Sequence, residues 1–286
     1  MDTELLGRIK QLIERHTGCS FFNYKPDTFQ RRLLRRMFCL GIKDMADYET
    51  YLAKNPKEYT ALLHSLTIKV SEFFRDPEIF NYLEQAVLPA IFKAHAQKND
   101  YNIRIWSTAC AYGEEVYSTA ILILEYLQRM EDAERSRWHI TILGTDIDPL
   151  AVEKAVDGVY SIKSVKDILP LHPNAFERIK GMPNHLQIAP EVRGMAQFVC
   201  FDIATAKRLS PPAGIFAEYD LIYCRNVLIY YDCQQKLDTL YRLYTCLCPY
   251  GYLVLGKAEG IPDELSACFI QVKPGIKIYR KENVHG

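Results

Sequence analysis

The chain has 286 residues, enough for one large domain or for a small and a medium one, and at 49% hydrophobic it can fill a core. Lys plus Arg equals Asp plus Glu at 35 each, so no global positive charge argues for nucleic acid. The nine cysteines are odd in number and contain no CxxC, and Cys246 and Cys248 alone make no zinc site, so buried reduced thiols and no metal are expected. Residues 1–12 carry Asp2, Glu4, Arg8 and Lys10, unlike a signal peptide, and no apolar run approaches the roughly 18 residues of a membrane span. A soluble cytoplasmic protein is the expectation.

Leu5, Leu6, Ile9, Leu12 and Ile13 recur at helical spacing and Gly18 stops the run. Asp27 or Thr28 caps a second predicted helix with the apolar stripe Phe29, Leu33, Leu34, Met37 and Phe38, ended by Gly41. Asp44 opens a third through Tyr48 and Leu52, and Pro56 a fourth through Tyr59, Leu62, Leu63 and Leu66. No strand signal precedes residue 100, so residues 1–72 read as a small helical domain. A longer helix follows Pro77, and then strands alternate with helices: Ile103–Trp106, a helix from Gly113 to about Met130, His139–Thr145, Pro149–Val156, Asp220–Cys224, Cys233–Cys246 and Tyr252–Leu255. That alternation predicts a parallel α/β sheet over residues 73–286. Cys268–Val272 and Ile276–Tyr279, joined through Pro274-Gly275, read as a closing antiparallel hairpin. Residues 160–200, with short strands at His185–Ile188 and Gln197–Phe201, read as a small β insertion. The fold class is α/β: a small all-α domain followed by a Rossmann-like domain with a C-terminal hairpin.

Four segments carry chemistry. Residues 106–115 (WSTACAYGEE) form a strand-turn-helix, where backbone N–H groups meet a ligand. A single glycine, Gly113, is too few for a dinucleotide fingerprint, and the paired acids suit a ligand with hydroxyls and an ammonium group. Asp146, after the next strand, is placed to accept from two ribose hydroxyls, while Asp148 before Pro149 reads as a helix cap. Arg225 and Asn226 follow the strand ending at Cys224, in the run DLIYCRNVLIYYD (220–232). The fourth segment, 66–76 (LTIKVSEFFRD), lies at the domain junction.

Together with Gly158–Ser161 (GVYS) and Pro249–Gly260 (PYGYLVLGKAEG), these segments resemble, in order and spacing, the CheR family of chemoreceptor glutamate methyltransferases. The resemblance implies S-adenosylmethionine as cofactor, S-adenosylhomocysteine as product, and glutamate side chains on a receptor's cytoplasmic helices as substrate. It implies that Arg75 and Ser71 line the cofactor and active site, and that Glu115 (or, one position earlier, Glu114) contacts the methionine part. Asp146 would take the ribose, Arg225 and Asn226 would lie beside the cofactor, and Tyr230 would lie near the transferred methyl. The family's usual Asn is replaced by Lys69, and Asp202-Ile203 stands where Asn-Leu is common. Asp202 still offers an acceptor to the adenine amino group, whereas Lys69 brings a positive charge toward a sulfonium ligand. Two other readings stay open: a methyltransferase with a different substrate, and a cofactor-binding module that does not turn over, which Lys69 favours.

Arg31, Arg32, Arg35 and Arg36 put four cations into six residues of the second helix, as two i,i+4 pairs. A solvated face explains such a run; a seat for an acidic receptor bundle explains it too, and is the expectation here. No nucleic acid, no membrane insertion and a chain acting as a monomer complete the expected picture.

Overall fold

The computed structural model describes residues 3–67, 69–204, 211 and 218–282. Four helices come first: α1 (Thr3–Thr17), α2 (Pro26–Cys39), α3 (Met45–Lys54) and α4 (Pro56–Leu66). Gly18 ends α1 at φ 74°, a left-handed value that glycine adopts without strain. Asp44 caps α3 by accepting the Ala46 N–H at 2.7 Å. Neither Asp27 nor Thr28 caps α2: the helix already begins at Pro26, with Lys25 at the cap position and no side-chain bond there. Ile9, Ile13, Phe29, Leu33, Met37, Leu52 and Leu62 fill the core between the helices. The expected stripe on α2 is narrower than the periodicity suggests. Phe29, Leu33 and Met37 are buried, but Leu34 is 39% and Phe38 85% exposed, because only the i, i+4, i+8 row meets the other helices.

Helix α5 (Pro77–Tyr82) passes through a π-helical turn (Leu83–Val87) into α6 (Leu88–Gln97). Then follow β1 (Asn102–Ser107), α7 (Glu114–Gln128), α8 (Asp132–Arg135), β2 (His139–Asp146), α9 (Pro149–Asp157), β3 (Val159–Ser161), α10 (Ile162–Val165), β4 (Phe176–Arg178), β5 (His185–Ile188), α11 (Pro190–Arg193) and β6 (Ala196–Cys200). The chain ends with β7 (Tyr219–Cys224), α12 (Cys233–Cys246), β8 (Leu247–Leu255), β9 (Phe269–Gln271) and β10 (Ile278–Lys281). One sheet has the order β6-β2-β1-β7-β8-β10-β9. Its pairings are parallel from β6 to β8, and β9 and β10 close it antiparallel, as expected of the terminal hairpin. The chain winds outward from β1 to β6 on one side and returns to β7 on the other. The β1/β7 boundary is therefore the switch point, where crevices open at the carboxyl ends of strands.

The insertion is smaller than the sequence suggested. Only β3, β4 and β5 form the separate three-stranded antiparallel sheet. β6 belongs to the main sheet, paired in parallel with β2 from Ile142 opposite Ala196 to Asp146 opposite Cys200. The junction packs on this small sheet: the Phe73 ring meets Tyr160 at 4.8 Å and Phe176 at 5.5 Å, edge to face. Arg75 follows Phe73 by two residues, so its backbone is anchored to a rigid aromatic cluster. No helix among the described residues is long and apolar enough to cross a membrane.

Candidate active site

The loops after β1, β2, β6 and β7 converge on one cleft at the carboxyl ends of the strands, lined by Ala109–Ala111, Glu115, Asp146, Asp202, Arg225 and Asn226 among others. The helical domain supplies a further wall through Ser20, Tyr24 and Thr67, and the junction supplies Ser71 and Arg75. The acid that ends β2 is the hinge of this arrangement. Asp146 Oδ2 accepts the Ala111 N–H at 2.9 Å, and Oδ1 accepts the Asp148 N–H at 2.9 Å. It thereby ties the β1 loop to the β2 loop, and its two oxygens retain acceptor capacity for a ligand in the cleft. Burial pushes its carboxyl above the usual aspartate range, against those two N–H groups and the nearby Lys69 charge. Gly113, at φ 93°, turns the β1 loop into α7; a Cβ there would come 3.0 Å from that of Ala155.

The geometry separates the two adjacent acids. Glu115 lines the cleft, its Oε1 accepting from Ser107 Oγ at 2.8 Å and its Oε2 from Arg225 Nη1 at 2.8 Å. Glu114 is buried behind it, and burial raises its carboxyl pKa. Ser71 lines the cleft.

Arg225 serves less as a ligand than as a brace. With its side chain only 3% exposed, Nη1 reaches Glu115, and Nη2 donates to the Arg75 carbonyl at 2.8 Å and to Asp76 Oδ2 at 2.7 Å. Burial works against its charge, but Glu115 and Asp76 outweigh that and hold the guanidinium more firmly protonated than usual. The residues flanking Arg75 need such a brace. Phe74 sits at φ 52° and Asp76 at φ 60°, left-handed values that cost a non-glycine residue about 1 kcal/mol or more each. Arg75 itself spends Nη1 on the Val70 carbonyl at 2.6 Å, and its remaining N–H groups are open to a ligand.

Tyr230 lines the cleft opposite, stacked at 7° on Tyr24 of the helical domain with centroids 6.0 Å apart. Burial raises its hydroxyl pKa, and Arg32, Arg75 and Arg31 pull it back. The two domains are stitched beside it: the Lys25 N–H donates to the Tyr230 carbonyl at 2.9 Å, and Asn23 Nδ2 to Gln235 Oε1 at 2.9 Å. Asp202 and Ile203 also line the cleft, with Asp202 Oδ1 accepting the Ala204 N–H at 2.9 Å.

Two expected contacts fall elsewhere. Lys69 is not on the cleft wall: its ammonium, on a side chain 5% exposed, pairs with the fully buried Asp148 and also reaches Thr67 Oγ and His64. Asp148 caps α9 through the Leu150 N–H, and it additionally takes His64 Nδ1 at 2.6 Å, which binds α4 to α9. Of the four arginines on α2, two are turned inward. Arg36 makes a two-pronged pair with the buried Glu58 at 2.8 and 2.6 Å, which Tyr48 also joins, and Arg32 donates to the Ser65 and Thr67 carbonyls. Arg31 and Arg35 remain exposed, in one stripe with Leu34 and Phe38. One contributor had no sequence signal tying it to the cleft: Tyr24, which follows the ordinary run CSFFN.

Three carboxylates (Glu115, Asp146, Asp202) around the cleft fit a ligand bearing an ammonium, a diol and an exocyclic amine, and leave Arg75 for a second, anionic group. S-adenosylmethionine has all three cationic or hydrogen-bond-donating features. Comparison with known proteins agrees. Residues 69–276 match the model of the CheR methyltransferase SAM-binding domain, and residues 4–67 that of the CheR all-alpha domain. The chemotaxis protein methyltransferase of Salmonella typhimurium is 30% identical over 258 residues, covering 90% of this chain and 83% of that protein. That of Escherichia coli is 30% identical over 254 residues, 88% of this chain and 82% of that protein. An uncharacterized 104.1 kDa protein of Rhodobacter capsulatus is 30% identical over 259 residues, but there the match spans only 26% of the longer protein. The chain belongs to the CheR methyltransferase family, with an S-adenosylmethionine-binding domain behind an all-α domain.

Proposed function

We propose that this protein transfers the methyl group of S-adenosylmethionine to glutamate carboxylates on the cytoplasmic helices of chemoreceptors, forming methyl esters. The observation that carries the reading is the meeting of Arg75, Tyr230, Glu115 and Asp146 on one cleft from four separate chain segments. The cofactor supplies an electrophilic sulfonium methyl, which the glutamate oxygen takes in line as the C–S electron pair passes to sulfur, leaving neutral S-adenosylhomocysteine. The protein's share is orientation and dryness. A glutamate carboxylate is already ionised at neutral pH, so the cleft supplies no base. The charges of nucleophile and electrophile cancel on the way to the transition state, so a site that excludes water favours the reaction. Arg75 receives the carboxylate on its unspent N–H groups, and Tyr230, fixed by Tyr24, sets the approach. Arg225 holds Arg75 and Glu115 in register. Glu115 meets the ammonium, Asp146 the ribose and Asp202 the adenine amine.

The exposed stripe Arg31, Leu34, Arg35 and Phe38 seats the receptor, offering cations to an acidic helical bundle and an apolar strip to its flank. The reading as a binding module without turnover loses its main support, because the Lys69 ammonium is paired with Asp148 and does not confront the sulfonium. The test is to incubate the protein with S-adenosylmethionine carrying a radiolabelled methyl group and a receptor cytoplasmic fragment. Label that enters the receptor and is released by alkali as methanol supports the reading. Label that reaches no protein, or only alkali-stable positions, contradicts it.

A further inference from the structure

After β8 the chain turns at Gly256, and the Glu259 N–H closes that turn on the Gly256 carbonyl at 2.9 Å. The Glu259 side chain then folds back under the loop that follows β7. Only 7% of the residue is exposed. Oε2 accepts the Asn226 N–H at 2.9 Å and the Gly256 N–H at 2.7 Å, and Oε1 accepts the Leu228 N–H at 2.8 Å. No cation among the described residues pairs with it: the neighbouring Lys257 goes to Asp76 and Glu78 instead. A buried carboxylate without a cation is costly unless its lone pairs are filled, and here three backbone donors fill them.

Two of those donors lie in the turn just past the end of β7, where Asn226 takes φ 60° and its N–H and that of Leu228 both meet the Glu259 carboxylate. The approach is close enough that a Cβ on Gly256 would lie 2.7 Å from Glu259 Oε2 and 2.9 Å from the Asn226 nitrogen, so position 256 demands glycine. The same loop sets Asn226 on the cleft and carries Tyr230 four residues on.

We propose that Glu259 is a positioning residue for methyl transfer: anchored by the Gly256 N–H on its own side, it holds the Asn226 and Leu228 N–H groups and so fixes the left-handed turn that places Asn226 and Tyr230 on the cleft. The proposal rests on the methyltransferase reading above. It predicts an asymmetry between variants. Glutamine at 259 has one acceptor oxygen, and its amide nitrogen must face at least one of the three donors, so one bond at least is lost and one N–H repelled.

The test uses the full chain with Glu259→Gln and three readouts: hydrogen exchange of the peptide spanning residues 225–231 without substrate, calorimetric S-adenosylhomocysteine binding, and the methylation rate divided by the number of binding sites. Exchange in that peptide should accelerate roughly tenfold or more, the factor for one lost bond to a charged acceptor, while peptides of α1–α4 are unchanged. The rate per binding site should fall by a similar factor. A purely structural role would lower the melting temperature and the number of binding sites together and leave the rate per site at the wild-type value, and that result overturns the proposal. So does unchanged exchange at 225–231. If Glu259→Gln does not fold, Glu259→Asp keeps the charge but shortens the reach, and the same readouts decide. Wild-type protein that methylates no receptor would sink the proposed substrate, and Glu259 would then be judged by exchange and cofactor affinity.

Discussion

Asp146→Asn is the sharpest probe of the cofactor assignment, because the change keeps the shape and removes one acceptor. In the wild type each carboxylate oxygen holds one backbone N–H, from Ala111 and from Asp148, and faces the cleft with the rest of its capacity. An amide nitrogen in place of either oxygen confronts a buried N–H and offers a ribose hydroxyl no acceptor. Losing one hydrogen bond to a charged acceptor costs about 1.5–3 kcal/mol, roughly a tenfold to hundredfold loss of affinity. The confronted N–H costs about 1–3 kcal/mol of stability on its own account, so the two losses must be measured separately. Calorimetric titration with S-adenosylhomocysteine, beside a thermal melt confirming the fold, does this. There is also a pH signature. Burial raises the Asp146 pKa, so wild-type affinity should decline on acidification before the roughly 3.9 of an ordinary aspartate is reached, and the Asn variant should lack that decline. Affinity within about twofold of wild type in a folded Asn variant would remove Asp146 from the cofactor site.

The α2 arginines should divide into two kinds. Arg36→Ala strands the buried Glu58 and should cost about 3–5 kcal/mol of stability in denaturant titration, whereas reversing Arg31 and Arg35 to Glu should raise the receptor KM with an unchanged melt. Lys69→Met should lower stability by about 3 kcal/mol, since the buried Asp148 keeps only His64 and the Leu150 N–H, and the stability loss should exceed any loss of cofactor affinity. His95 joins the end of α6 to the start of β7 through Asp220 at 2.8 Å, with Asp100 at 3.2 Å. The Asp220 hydrogen bond raises its pKa against the opposing effect of burial. Its stabilisation should therefore be complete below the unfolded value of about 6.5 and be lost as pH rises through the folded-state pKa. His95→Gln should flatten that part of a melting-temperature profile.

Elements with strong periodicity were legible without the structure: α1 with its Gly18 stop, α3 with its Asp44 cap, α12 over Cys233–Cys246 and the parallel strands. Where the sequence misled, the missing information was tertiary. β6 looks like its neighbours in the insertion, and only its pairing with β2 assigns it to the main sheet. Four arginines within six residues look alike on a helix, yet Glu58, 22 residues beyond Arg36, withdraws that side chain from the surface. Motif matching places Arg75, Glu115 and Asp146 at the cleft but is blind to division of labour. Arg225 lines the cleft as expected while its guanidinium also braces Glu115, Asp76 and the Arg75 carbonyl, and Lys69 serves Asp148. Glu259 falls in the resembling segment PYGYLVLGKAEG, but its role has no signal there because its three donors come from backbone, which sequence does not distinguish.

The central claim is that Arg75 and Tyr230 orient a receptor carboxylate toward the cofactor's methyl group. The most direct measurement is single-turnover methylation of a receptor cytoplasmic fragment by wild type and Arg75→Ala, each saturated with S-adenosylmethionine and each with its cofactor affinity measured beforehand. The account predicts alkali-labile methyl esters on glutamate with the wild type. With Arg75→Ala it predicts a rate reduced by a larger factor than the cofactor affinity, because the lost contact is made to the reacting carboxylate. Esters formed by the variant at the wild-type rate would contradict the orientation role, and no esters with either protein would contradict the substrate.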